Sequence, residues 1–274
     1  MAVAVAAAVA GATAFSCSLS SPRRRRATTE RASSAAEVEI RVCTNRTCTR
    51  QGGREVLAAL EGLAPPRVDV ASCGCLGRCG AGPNIGASSS VSASGGGAAV
   101  FGHVGTAARA AQLLEHLLGG ESGFDAAAGL AALAAREKAE AALEKGDAAG
   151  AEALLTEAIE MNPCGGLHLA YRSRSRARLS LGNITGALFD TEEAIKIAPK
   201  FPQAHLSRGD ALFAMEEYQA AEYAYADALD LDPSVRRTKS FRRTLHFDAL
   251  PLFQARVEKL RQKAANAEIS SPSS

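Results

Sequence analysis

Tryptophan is absent from this sequence of 274 residues, and the aromatic side chains together make up only 5% of it. Any core must then be built largely from Ala, Leu and Val, which suits small, closely packed helices better than a β-sandwich. Membrane-length apolar runs are missing as well. The mostly alanine stretch Ala2–Phe15 is too short and too weakly apolar to cross a bilayer. Surplus charge of either sign is small: the formal net charge is +2, and Arg23, Arg24, Arg25, Arg26 and Arg31 supply five of the positive charges against Glu30 alone. Beyond residue 35 the balance is 26 basic to 28 acidic residues, a net −2, so nothing global points to nucleic acid. No glycine loop lies between a strand and a helix to cradle phosphate, and His103, His116, His168, His205 and His246 share no ligand spacing. No catalytic constellation emerges, and a non-enzyme is expected. What is present, 47% hydrophobic and 22% charged residues, describes a folded chain.

Residues 1–35 read as a disordered transit peptide. Residues 1–29 contain no Asp or Glu, are rich in Ala and Ser, and place their arginines after the apolar stretch, whereas a secretory signal places positive charge before it. The expected destination is the chloroplast, in the stroma or on the stromal face of the thylakoid, with the mitochondrion as the alternative.

The remaining chain divides near residue 120. Alternation over Glu37–Cys43 predicts a strand; Val56, Leu57, Leu60 and Leu63 place a helix over Gly53–Leu63; and Arg67–Ala71 predicts a second strand. Ala98–Val104 follows as a strand after a flexible turn over Ser88–Gly97. Thr106–Leu118 is an amphipathic helix with Thr106 as its N-cap. Residues 119–131 form a linker and the start of the next helix. From there the chain repeats itself: Ala158-Ile159-Glu160-Met161-Asn162-Pro163, Ala194-Ile195-Lys196-Ile197-Ala198-Pro199 and Ala228-Leu229-Asp230-Leu231-Asp232-Pro233 stand 36 and 34 residues apart. The excess falls in the loop Cys164–Leu167, and Gly146-Asp147 and Gly182-Asn183 mark inter-helix turns.

Five of the seven cysteines, Cys43, Cys48, Cys73, Cys75 and Cys79, fall within 37 residues at loop positions after the first two strands. Inside an intracellular compartment such a cluster points to a metal or redox site rather than a disulfide framework. Two pairs from two loops, C-x4-C and C-x3-C, can supply four thiolates to a [2Fe–2S] cluster, and zinc accepts the same donors. Gly74, Gly77, Gly80 and Gly82 let the backbone wrap closely and offer N–H groups to sulfur. Thioredoxin-type dithiol exchange is disfavoured, since no C-x-x-C stands at the end of the first strand.

The run Cys43-Thr-Asn-Arg-Thr-Cys48, followed by Cys75-Leu-Gly-Arg-Cys79-Gly-Ala-Gly-Pro83-Asn-Ile, resembles the thioredoxin-like [2Fe–2S] ferredoxins over residues 36–118. The resemblance implies Cys43, Cys48, Cys75 and Cys79 as ligands, with Cys73 as a possible substitute for Cys75. Arg46, Arg50 and Arg78 beside the ligand loops would favour the reduced cluster and attract an acidic redox partner. The period of 34 residues resembles the tetratricopeptide repeat, here three repeats over residues 132–233 with capping helices over 234–267 and a disordered tail over 268–274. Ala139 and Ser175 stand where that family favours glycine, while Gly209 conforms.

The expected architecture is multidomain: a small thioredoxin-like α/β domain followed by an all-α tetratricopeptide solenoid. Its concave groove should carry Leu133, Arg136, Glu140, Leu169, Arg172, Arg176, Leu206, Asp210 and Phe213, suited to a protein segment with apolar anchors and acidic residues. The Lys/Asn clamp that some tetratricopeptide proteins use for acidic chaperone tails is missing, with Glu140, Ser173, Gln203 and Ser207 in the comparable places. The function that follows is a plastid interaction or assembly factor serving photosynthetic or redox complexes. An electron carrier docked by its repeats and a zinc-stabilised adaptor are the alternatives.

Overall fold

The computed structural model describes residues 38–89, 99–119 and 123–237. The expected transit peptide, the tail over 268–274 and nearly all of the capping segment 234–267 lie outside them. Strand β1 (Val38–Cys43) alternates Val38, Ile40 and Val42 into the core while Glu39 and Arg41 face out. Arg41 there meets Asp69 at 2.8 Å and Glu39 at 3.3 Å. A short helix α1 (Arg46–Arg50), capped by the Asn45 side chain, carries Cys48 and leads into α2 (Gly53–Leu63).

β2 (Val68–Cys73) then runs parallel to β1, with Val38 opposite Val68 and Cys43 opposite Cys73. β3 (Ile85–Ser89) and β4 (Ala99–Phe101) complete a sheet of order β2-β1-β3-β4, both of the latter pairings antiparallel. The turn expected over Ser88–Gly97 starts later than the residue types suggest, because Ser88 and Ser89 pair with Glu39 and Val38 at the end of the ladder. Helix α3 (Ala107–Leu118) begins at Thr106, whose hydroxyl accepts from the Arg109 N–H at 3.3 Å.

Six helices follow in three pairs: α4 (Ala126–Glu144) with α5 (Ala148–Glu160), α6 (Leu167–Ser180) with α7 (Ile184–Ile197), and α8 (Pro202–Ala214) with α9 (Tyr218–Leu231). Asp125, Asp147 and Asn183 cap α4, α5 and α7 with their side chains, and Pro202 opens α8 where its missing N–H is harmless. Gly146 and Gly182 take positive φ at the turn inside the first two pairs. The third pair places Glu216 there at φ 63, a conformation disfavoured for a residue with a Cβ.

Register also explains the departures at Ala139 and Ser175. Gly209 lies so close to Tyr225 that a Cβ would overlap the ring. By the same 16-residue offset Ala139 and Ser175 correspond to Leu155 and Thr191, all of them buried. A smaller partner leaves room for a small side chain.

Between repeats one and two lies a buried ionic knot that residue spacing gives no sign of. Asp190 on α7, fully buried, accepts from Arg174 Nη2 at 2.7 Å and Nε at 3.0 Å, and lies 3.0 Å from Arg178 Nη1. Arg178 also holds Glu152 at 2.8 Å, and Arg174 donates to Thr156 at 3.2 Å, both on α5. One buried carboxylate thus ties three successive helices. Removing one partner of such a set costs on the order of 3–5 kcal/mol, because the remaining charge is left unpaired.

The two halves share a core. Phe124, Ala126 and Leu133, from the expected linker and first repeat helix, pack with Ile40, Leu60, Leu63 and Leu114 of the α/β half. The joint is sealed by backbone. Gly165 and Gly166, in the loop that makes the first interval 36 residues long, sit so close to Leu63 and Gly62 that a Cβ on either would overlap the carbonyl oxygens. Arg136 Nη1 donates to Gly62 O at 3.3 Å, taking up a carbonyl at the C-terminus of α2.

A matched pair of alanine substitutions isolates this joint. Gly146 and Gly166 both have positive φ, but a Cβ at Gly146 meets open space. Gly166→Ala should lower the urea-unfolding free energy by about 1–3 kcal/mol more than Gly146→Ala does.

Candidate metal centre and partner groove

The C-terminal ends of β1 and β2 bring the cysteines together. Cys43 and Cys48 are buried, 1% and 2% exposed, while Cys75 and Cys79 lie on an exposed loop with their sulfurs 3.5 Å apart. Burial would raise the Cys43 thiol, but the Asn45 and Leu76 N–H groups and the Cys48 thiol bring it below its ordinary value. Burial raises Cys48 against the Asn84 N–H, and Cys43 and Cys75 add to the rise. Cys79 is raised first by its hydrogen bond with Cys75, then by the charges of Cys75, Cys48 and Cys43. Cys48 and Cys79 thus each feel sulfurs of the other loop, although among the described residues no three His, Cys, Asp or Glu side chains stand in metal-ligating geometry.

The residues fit a thiolate-ligated group by the chemistry of their donors. Gly77 N–H points at Cys75 Sγ from 3.4 Å and Asn84 Nδ2 lies 3.7 Å from Cys48 Sγ. A Cβ on Gly82 would stand 3.0 Å from Cys48 Sγ and would displace the exposed Gln51 side chain, so the backbone passes close to that sulfur. Cys73, half-buried opposite Cys43, is raised by burial first and then by Cys43, with Arg41 opposing. Arg46, Arg50 and Arg78 are exposed around the loops, and Arg78 donates to Val100 O at 3.4 Å. Asn84 and Gln51 carry no signal of their own type; only the adjacency of Asn84 to the Cys79–Pro83 motif could have pointed to it.

In the helical half, α4 touches α6 and α6 touches α8, whereas the second helices of successive repeats approach one another less. The first helices therefore line the inside of the curve. Of the expected groove residues, Leu133 and Leu206 are corrected: both are buried in cores, and their contribution is packing. Arg136 is corrected too, since its guanidinium is engaged at Gly62 O and faces the joint, with Glu140 at 3.8 Å. Glu140 is exposed and accepts from the buried Ser173 hydroxyl at 3.3 Å. Asp210 is held by the Tyr225 hydroxyl at 2.8 Å, and Phe213 stacks edge-on with Tyr218 at 5.3 Å.

Leu169 and Arg172 remain half-buried and Arg176 exposed on α6. Arg172 is held below its ordinary value, first by burial and then by Arg176, with Glu140 and Asp210 working the other way and Arg136 adding to the fall. Its Nε is buried without a hydrogen-bond partner, as is Arg208 Nε. A guanidinium stays charged at neutral pH, so the Arg172 cation lies among two further arginines and two carboxylates, Glu140 and Asp210.

Three helical hairpins in register, stacked so that the first helices line one face, define a helical repeat array. The fold is the tetratricopeptide one: the tetratricopeptide repeat family model matches residues 202–235, which hold α8 and α9. The chain is 39% identical over 87 residues to the rice Protein SGT1 homolog, covering 32% of this chain and 23% of that protein. It is 37% identical over 78 residues to small glutamine-rich tetratricopeptide repeat-containing protein 2 of Mycosarcoma maydis, covering 28% and 22%. Among solved structures, the Arabidopsis OM64 TPR domain has a TM-score of 0.38 at 28% identity, covering 47% of this chain and 95% of that one. The chain thus spans less than a quarter of the length of these two curated relatives. No helix of the described residues is long and apolar enough to cross a membrane.

His168 provides a test of the joint from the groove side. It packs edge-on to Phe201 at 5.1 Å, and burial, followed by the Arg136 charge, pushes it down to about 4 from 6.5. The unfolded chain therefore binds a proton between pH 6.5 and 4 that the folded chain does not, and stability falls as pH drops through that window. His168→Gln should make the unfolding midpoint less sensitive to pH across that interval, measured by urea titrations at pH 7, 5.5 and 4.5.

Proposed function

We propose that this chain is a non-catalytic plastid adaptor. Its repeats hold an acidic segment of a partner protein, and its thioredoxin-like α/β domain carries a [2Fe–2S] centre on Cys43, Cys48, Cys75 and Cys79, in the service of photosynthetic or redox complex biogenesis. The observation that carries the groove reading is Arg172, a half-buried guanidinium repelled by Arg176 and short of acceptors. A carboxylate from a partner would offset the repulsion from Arg176. Support for the cluster is the two-loop set of four cysteines, in which Cys48 and Cys79 each feel sulfurs of the other loop and N–H donors reach Cys75 and Cys48. A bound cluster would supply one-electron chemistry, while the protein's part is to orient the thiolates and present Arg46, Arg50 and Arg78 to an acidic partner.

The curated relatives include a co-chaperone, which raises chaperone tails as a ligand class. An internal acidic segment fits this chain better. Glu140 stands where a tail clamp needs a donor, and Ser173 and Ser207 are buried, with Ser173 turned to Glu140.

Anaerobically purified full-length chain should show visible absorption and an EPR signal on reduction; a colourless protein with one equivalent of zinc would overturn the iron–sulfur reading. Arg172→Ala should weaken binding of an acidic peptide by about tenfold and flatten its salt dependence, as measured by fluorescence anisotropy. Equal affinity for a Gln-substituted peptide would sink the groove reading. Import into isolated chloroplasts, with loss of the first ~35 residues, tests the compartment.

A further inference from the structure

Between the ligand loop and β3 stands Asn84, only 1% exposed. It touches both halves of the cysteine set. Its side-chain Nδ2 donates to Arg78 O at 2.7 Å, inside the Cys75–Cys79 loop, and lies 3.7 Å from Cys48 Sγ. Its main-chain carbonyl accepts from Cys43 N–H at 2.9 Å, so one residue meets the backbone of Cys43, the sulfur of Cys48 and the loop of the other pair. Its main-chain N–H is also directed at Cys48.

This amide is not a comfortable core residue. Its Oδ1 is buried with no hydrogen-bond partner, and Gly102 approaches so closely that a Cβ there would stand 3.3 Å from that oxygen. An unsatisfied buried acceptor costs on the order of 1–3 kcal/mol, which an apolar residue of similar volume would avoid. The two amide protons are what such a residue would lose.

We infer that Asn84 is the positioning residue of the four-cysteine site, its buried amide holding the Cys75–Cys79 loop through Arg78 and donating to the Cys48 sulfur. This rests on the reading of that site as a thiolate-ligated centre. Donors to a ligand thiolate withdraw electron density from it, which raises the reduction potential of a cluster and strengthens binding of a metal by fixing the ligand.

The test uses the full-length chain with Asn84→Leu, which keeps volume and loses the donor, and Asn84→Ala, which loses both. Reduction midpoints come from EPR-monitored titration of the iron–sulfur form. Affinity for Co2+ comes from its sulfur-to-cobalt absorption, a readout independent of iron. Both variants should shift the midpoint to more negative potential and weaken Co2+ binding by about 10–100-fold. Wild-type values in both variants, or a shift in the alanine chain alone, would assign Asn84 to packing and overturn the inference. Should the leucine chain fail to fold, Asn84→Met, which also fills the space without the donor, takes its place: an unchanged midpoint overturns the inference, and a negative shift supports it. A wild-type chain that takes up neither iron–sulfur nor Co2+ removes the thiolate-centre reading itself, and the role of Asn84 with it.

Discussion

Everything in this fold is arranged around the contact between the C-terminal end of α2 and the loop joining α5 to α6. There backbone meets backbone, with Gly165 and Gly166 against Leu63 and Gly62. Helix ends leave carbonyls without partners, and Arg136 reaches across from α4 to take one. The contact closes a core to which β1, α2, α3 and α4 all contribute, so the α/β half and the repeat array are one packed body rather than beads on a string. It also explains why Arg136 is held from the groove and why His168, beside it, is kept neutral.

At its other end α2 begins against the sulfur site. A Cβ on Gly53 would stand 2.9 Å from the carbonyl oxygens of both Cys43 and Cys48, so the helix starts in contact with the backbone of two candidate ligands. Eleven residues, about 16 Å of helix, separate that contact from Arg136. The cysteine loops and the inner face of the array are therefore distinct regions joined by a single rigid element.

Much of this was legible in the residues. The first two strands and the two longer helices of the first half followed from alternation and spacing, with Gly53–Leu63 found at its full length, whereas the short helix α1 and strand β3 carried no such pattern. The repeats followed from register alone, because each hairpin must reuse the same small positions, Ala151, Ala187 and Ala221, to let helices approach. What escaped depended on side-chain direction and on three-dimensional neighbours. Leu133 and Leu206 have the spacing of groove residues but turn into cores, and Arg136 looks like a peptide-facing cation yet meets a helix end 74 residues away. Asp190 reads as an ordinary polar position on an amphipathic helix, and only the fold reveals two arginines converging on it. The cysteine spacing announced a four-thiol set, but Asn84 could be assigned only once both loops were seen to meet at it.

The two residues that lengthen the first repeat interval have a wider meaning. Stacked repeats behave as a one-dimensional row in which each unit is stabilised by its nearest neighbours. Through Gly165 and Gly166 the α/β half occupies the first place in that row, a terminal unit built from a different fold. In such a row a disturbance at one end weakens with every unit it crosses. The cysteines are thus mechanically nearest to α4, one step further from Arg172, and most remote from the Phe213 end, giving the array a graded polarity that three like repeats alone would lack.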